Sequence, residues 1–214
     1  MQRREGQSIY HLDIFENITE QKTILIPAGN EYHYLAVVMG NSDIDLQLQS
    51  EDEHSCVYAN CLTIWSATPS KVNMQAYLWH SHSAAHLHMV TMLLEHSDAI
   101  VHGGVTIAPD IIKAEGRLLE ENIVLGKKVK IHTLPQLDVR SNDVAASHGA
   151  RIEKLDEKKL FYLQSKGISP AESKRLMIEG FVETMFALIT PADWDARTAD
   201  FSDIKQKVLE QILK

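Results

Sequence analysis

Long apolar runs are missing from this chain of 214 residues. No window approaches the roughly 18 consecutive apolar residues that a membrane-spanning helix needs. Two arginines stand near the N-terminus, but the apolar segment of a secretory signal does not follow them. We therefore expect a cytoplasmic protein that is not inserted in a membrane.

Positive charge and cysteine are also scarce. Lysine and arginine total 21 against 29 acidic residues, the net charge is −8, and no basic block occurs. Nucleic acid and anionic membranes would repel such a surface, so neither is expected as the main partner. The two cysteines, Cys56 and Cys61, fit a reducing compartment and cannot form a disulfide framework.

Common catalytic signatures are absent as well. The chain has no nucleophile with an adjacent base in a known motif, no phosphate-binding loop and no dinucleotide fingerprint. It is 44% hydrophobic, which is enough for a substantial core. We therefore expect a soluble globular protein that is not an enzyme.

The first part of the chain has the pattern of β-strands. Residues 10–15, 23–26 and 34–39 alternate or run apolar, and residues 44–49 alternate with a period of two. Pro27 and Gly40 lie in turns between these segments. The N-terminal region is therefore predicted to be β.

Residues 99–152 carry short β-prone segments separated by turn residues. The segments are 105–107, 111–113, 117–119, 123–125, 129–131, 137–139, 144–146 and 150–152. Isolated strands this short are unstable, but stacked coils of a parallel β-helix would pair each strand with equivalents above and below. A β-sandwich, which normally has longer strands, is the alternative. The expected fold is mainly β, with a β-helix core over residues 1–152.

Histidines and cysteines occur in two stretches that could bind a metal. The first is H-x-C-x4-C, formed by His54, Cys56 and Cys61; the second is H-x-H-x3-H-x-H, formed by His80, His82, His86 and His88. Imidazole and thiolate are common ligands of zinc and iron, and alternate strand positions share a face. Neither spacing matches a named zinc pattern, so the favoured interpretation is that these residues are polar side chains on strand edges and turns.

The C-terminal segment, residues 153–214, is predicted to be a helical domain. Asp156 is placed to cap a helix that Gly167 ends. A second helix begins at the capping box Ser169-Pro170-Ala171-Glu172 and ends before Pro191, and a third begins near Ser202. Their apolar residues could cover the open end of the β-helix or dock a partner.

Several motifs in the second half resemble the SufB/SufD family of the SUF iron–sulfur cluster assembly system. Residues 135–139 read P-Q-L-D-V, residues 147–150 read S-H-G-A, and residues 155–168 read L-D-E-K-K-L-F-Y-L-Q-S-K-G-I. The resemblance implies a right-handed parallel β-helix with a C-terminal helical domain. It also implies a scaffold that pairs with another SufB/SufD-type subunit, or with itself as a homodimer, and docks a SufC-type ATPase. Docking residues are expected on the helices: Leu160, Phe161, Met177, Phe181 and Met185.

The chain departs from the family pattern at the expected cluster site. SufD-type members often have cysteine where this chain has Ala146, and SufB-type members have glutamate where it has Gly149. Of the family's cluster-site residues, only His148 is present. A transient iron–sulfur cluster is therefore allowed, but one imidazole alone cannot hold it.

Family members are usually about twice as long, so we expect a shortened, SufD-like member. The alternative function is that of a small metal-binding β protein using His80, His82, His86 and His88.

Overall fold

The computed structural model describes residues 8–66, 69–189 and 201–213, which form twelve strands and three helices. The strands are β1 (Ser8–Glu16), β2 (Thr19–Ile26), β3 (Glu31–Met39), β4 (Asp43–Ser50), β5 (Cys56–Trp65), β6 (Pro69–Leu78), β7 (Ala84–Leu93), β8 (Asp98–Ile107), β9 (Ala114–Val124), β10 (Lys130–Thr133), β11 (Gln136–Val139) and β12 (Val144–Lys154). The helices are α1 (Glu157–Ser165), α2 (Pro170–Ile189) and α3 (Phe201–Leu213).

The strands form two parallel sheets, and from β1 to β9 successive strands along the chain belong to the two sheets in turn. The first sheet has the order β1-β3-β5-β7-β9-β12, and the second has β10-β8-β6-β4-β2, with β11 also paired to β8. Glu31, Cys56, Ala84, Glu115 and Ala145 occupy equivalent positions, so one coil takes 25 to 31 residues. This arrangement is a β-solenoid, and the predicted parallel β-helix is confirmed.

The strands are longer than the sequence pattern predicted. β8, β9 and β12 have 10, 11 and 11 residues, and only β10 and β11 are short. Gly103 and Asn122 fall outside the predicted short segments, where the sequence pattern predicts turns, but they lie inside β8 and β9. Continuous pairing with the coils on either side extends each strand through residues of low β propensity. Such long strands would fit a sandwich, but the all-parallel pairing excludes it.

The main core lies between the two sheets. Alternate residues of each strand point inward, and the largest fully buried side chains there include Tyr34, Trp65 and Met74. Ile107 has no exposed surface, and Ile131 is half-buried against the same core. The pattern of residues 100–152 predicts that their valines and isoleucines point inward. This is correct for Ile107 and Ile131, but Ile100, Ile112, Val139 and Ile152 are exposed.

A second core lies on the outer face of the first sheet, under helices α2 and α3. Outward residues of β3, β5, β7 and β9 pack there against Ile178, Val182 and Phe186 of α2 and against Ile204, Val208 and Ile212 of α3. These strand residues are Leu35, Val37, Met39, Leu62, Ile64, Val90, Met92 and Ile123. Of the alternatives that the sequence left open, cover of the open end of the solenoid is therefore wrong for α2 and α3, which lie on a face of the first sheet. The apolar outward positions need cover, and the helices supply it.

The predicted helix boundaries agree with the structure. The Asp156 carboxylate accepts hydrogen bonds from the amides of Lys158 and Lys159, and Gly167 follows α1 with φ +86°. Ser169 Oγ accepts a hydrogen bond from the Glu172 amide at 3.2 Å at the start of α2. None of the helices in the described ranges is long and apolar enough to cross a membrane.

Candidate functional site

His148 lies in the middle of β12, the last strand of the first sheet. His148 falls in the turn between the predicted short segments 144–146 and 150–152, but β12 runs through it, paired to β9 over 11 residues. His148 is opposite Leu118 and is exposed. Nine residues of β12 are exposed and two are half-buried, because no further strand covers it in the described part of the chain. His148, which the sequence predicts as a cluster-site residue, therefore lies on an open sheet edge.

A buried carboxylate, Glu120, lies on β9 beside the His148 position. Its Oε1 accepts a hydrogen bond of 2.6 Å from the Gly103 amide, and its Oε2 accepts one from Thr133 Oγ1. Burial raises the pKa of Glu120, while these two hydrogen bonds and the charge of His148 act in the opposite direction. Sequence reasoning missed Glu120, since its partners come from two other strands.

The neighbouring Glu121 points to the opposite face of the first sheet and links three strands. Its Oε2 is 2.6 Å from His88 Nε2 on β7, and its Oε1 pairs with the Arg151 guanidinium on β12. Burial, together with the Arg151 charge, lowers the pKa of His88. This buried carboxylate is thus compensated by charge, and it fastens the strand that carries His148.

An aromatic ladder crosses the outer face of the first sheet and ends in a groove. Ring centroids are 4.8 Å apart for Tyr10 and His33, 5.1 Å for His33 and Tyr58, and 5.0 Å for Tyr58 and His86. These separations follow the spacing of neighbouring strands. The groove has a volume of about 600 Å³, and its lining extends from His33 to the segment 147–149 that contains His148. The recurrence of these rings once per coil was the signal that could have revealed them.

The four histidines of the predicted metal motif are separated by the fold. His80 and His82 lie in the loop before β7, where His82 stacks on His54 at 4.9 Å, while His86 and His88 lie on the outer face of β7. Burial is the main cause that lowers the pKa of His86. Across residues 8–66, 69–189 and 201–213, no three His, Cys, Asp or Glu side chains converge on a point that could hold a metal ion.

The two cysteines also lie apart from His148. Cys61 is fully buried between the sheets, and burial raises its pKa to about 12, so it is a thiol at neutral pH. Cys56 is half-buried on β5. A cluster that needs several thiolates does not fit these residues.

The predicted docking residues lie in different environments. Phe161 is 74% exposed and Tyr162, which sequence reasoning missed, is 60% exposed; α1 has no buried residue. Leu160 and Met177 are half-buried, and Phe181 packs against the second core. Met185 is in α2, but its side chain lies outside the described residues.

Comparisons with known proteins agree with the family resemblance of these motifs. Residues 20–181 match the family model for the SUF system FeS cluster assembly, SufBD core domain. The chain is similar to the iron-sulfur cluster assembly protein SufD of Escherichia coli, with 31% identity over 122 residues, or 57% of this chain and 26% of the relative. It is also similar to an iron-sulfur cluster assembly SufBD family protein of Synechocystis, with 27% identity over 154 residues, or 72% of this chain and 34% of that protein.

A third relative belongs to the SufB branch. The iron-sulfur cluster assembly protein SufB of Bacillus subtilis is 31% identical over 74 residues, which are 33% of this chain and 16% of the relative. The chain therefore spans only 16 to 34% of the length of these curated relatives. The family model covers most of the chain, so this protein belongs to the SufBD family of the SUF iron–sulfur cluster assembly system.

Proposed function

We propose that this chain is a non-enzymatic scaffold subunit of a SUF-type iron–sulfur cluster assembly complex. It pairs with a SufB/SufD-type subunit, or with a second copy of itself, through the last coil of the solenoid. It docks a SufC-type ATPase through α1 and α2. Membership of a cluster assembly family supports the role, and the open strand β12 with His148 on it is the observation that carries the proposal.

Exposed apolar side chains on the last coil support pairing there. Ile152 on β12 is 56% exposed, and Val139 on β11 is 40% exposed. Apolar side chains on an open strand edge favour β-augmentation by a partner.

Helix α1 supports the docking part of the proposal. Its aromatic side chains Phe161 and Tyr162 project into solvent, although burial would stabilise such large apolar groups. The Asp156 cap and the positive φ of Gly167 fix both ends of the helix, which lowers the ordering cost of binding. A few large aromatic side chains usually supply most of the energy of an interface.

A binding titration tests the docking of the ATPase. A SufC-type ATPase from the same cell is titrated against wild type, Phe161→Ala, His148→Ala and the control Leu25→Ala, which removes an exposed apolar side chain from the second sheet. We expect Phe161→Ala to weaken binding by about tenfold or more, with the circular dichroism spectrum unchanged. His148→Ala and Leu25→Ala should bind like wild type.

Two results of this titration would contradict the proposal. If wild type does not bind, the chain has the family fold without the docking role. If Leu25→Ala weakens binding as much as Phe161→Ala does, the surface on α1 is not the docking site.

A further inference from the structure

The described structure buries two glutamates, and one of them, Glu120, has no ion-pair partner among the described residues. Its exposed fraction is 0%, in an interior that is otherwise largely apolar. By contrast, buried Glu121 pairs with Arg151 and His88. Glu120 has two hydrogen bonds but makes no ion pair in the described ranges. Burial of a carboxylate without a positively charged partner is unfavourable, so the presence of Glu120 at this position needs a physical reason.

The surroundings of this carboxylate form a fitted cradle. A Cβ atom added at Gly103 would lie 2.7 Å from Glu120 Oε1, so the absence of a side chain there leaves room for the carboxylate. The Gly103 amide holds Oε1 from β8, and Thr133 holds Oε2 from β10. Glycine within a strand often marks such a close approach. Three strands of the last coils therefore position one carboxylate.

His148 is the neighbouring group that can bring a cation to this carboxylate. Leu118 pairs with His148 and Glu120 pairs with Ala150, so the two functional residues are diagonal neighbours on adjacent strands. Residues in register on parallel strands point to the same face, so His148 shares the face of Leu118 and Glu120.

We propose that Glu120 is the second protein ligand, and the counter-charge, for a divalent first-row metal ion of the iron class held by His148. This inference rests on the proposed function and specifies the cargo site of the scaffold. An imidazole nitrogen with a carboxylate oxygen suits such an ion. The ion replaces the hydrogen bond from Thr133, while the Gly103 amide continues to hold Oε1. The other coordination positions are open to water, sulfide or a pairing subunit.

Titration with Co²⁺ alone tests the assignment, because cobalt is a divalent first-row ion with a readable visible spectrum. Chelator-treated protein is titrated by calorimetry and visible absorption as wild type, Glu120→Gln, His148→Ala and the control Glu16→Gln, which changes an exposed acid on β1. We expect wild type to bind Co²⁺, Glu120→Gln to bind at least about tenfold more weakly, and His148→Ala to lose binding. Glu16→Gln should retain wild-type affinity, because β1 lies at the opposite end of the first sheet from β12.

The possible outcomes distinguish an error about Glu120 from an error about the ion site or the scaffold role. Wild-type affinity in Glu120→Gln overturns the role of Glu120 and leaves the His148 site intact. No binding by wild type, or equal binding by His148→Ala, overturns the ion site on this chain, whereas the ATPase titration tests the scaffold role independently. If Glu120→Gln does not fold, Glu120→Asp replaces it. This variant keeps the charge and shortens the reach, and wild-type affinity with an unchanged spectrum would also overturn the assignment.

Discussion

Replacement of Ile107 by aspartate tests the stacked-coil core. Ile107 is an inward residue at the end of β8 with an exposed fraction of 0%. Loss of the buried side chain costs about 2–3 kcal/mol, and an unpaired carboxylate at the same place adds several kcal/mol. The sum is about 5 kcal/mol or more, against a typical total stability of roughly 5–15 kcal/mol. We expect Ile107→Asp to be largely unfolded or to lose most of its resistance to urea.

Ile100 on the same strand provides the matched control. It points outward and is 38% exposed, so Ile100→Asp should change stability by less than about 1 kcal/mol. Ile131→Asp, at a half-buried position, should give an intermediate loss. Urea unfolding followed by the fluorescence of buried Trp65 and by far-ultraviolet circular dichroism measures all three. Equal midpoints for Ile107→Asp and Ile100→Asp would refute the inward orientation of this strand face.

Three further predictions concern the last coil. Burial raises the pKa of Glu120 above its value in the unfolded chain, so the contribution of this group to stability falls as the pH rises above 4.5. In metal-free protein, the stability of Glu120→Gln relative to wild type should therefore increase between pH 4 and pH 7. A difference in unfolding midpoint that stays constant over this range would contradict the prediction. Arg151→Met should cost about 1–2 kcal/mol, because it removes an ion-pair partner of buried Glu121, and a double-mutant cycle with Glu121→Gln should show that the two effects are not additive. Light scattering should show a mass above 24.1 kDa at high micromolar concentration and return to the monomer in Ile152→Lys; a wild-type monomer would leave only pairing with a different subunit.

The class of fold and the helix ends could be predicted because they depend on local signals. The period-two alternation of residues 44–49 lies within β4, and the caps at Asp156 and Ser169 form as expected. A cap needs only the residue itself and the next turn of backbone, all of which are adjacent in the sequence.

Strand length could not be predicted in the same way. Gly103 interrupts the apolar pattern of β8 because the Glu120 carboxylate occupies the space of its missing side chain. A residue 17 positions away along the chain thus determines why glycine is there. Sequence reasoning took such glycines for turns, whereas the structure has them within paired strands.

Only part of the candidate site could be predicted from the sequence. His148 was identified through the family motif, but Glu120, Gly103 and Thr133 meet only because β8, β9 and β10 stack in register. The sequence also contained a signal, not used in the prediction, that helices cover the outer face of the first sheet. Residues 34–39 are continuously apolar, which is typical of a strand buried on both faces, and the outward ones, Leu35, Val37 and Met39, contact the helical layer.

Assembly from purified components tests the central claim of a scaffold subunit most directly. The chain is mixed with a SufC-type ATPase and a SufB-type subunit from the same cell, and the products are weighed by native mass spectrometry. We predict one complex that contains all three polypeptides. Assembly of the other two without it, with this chain remaining alone at 24.1 kDa, would contradict the proposed function.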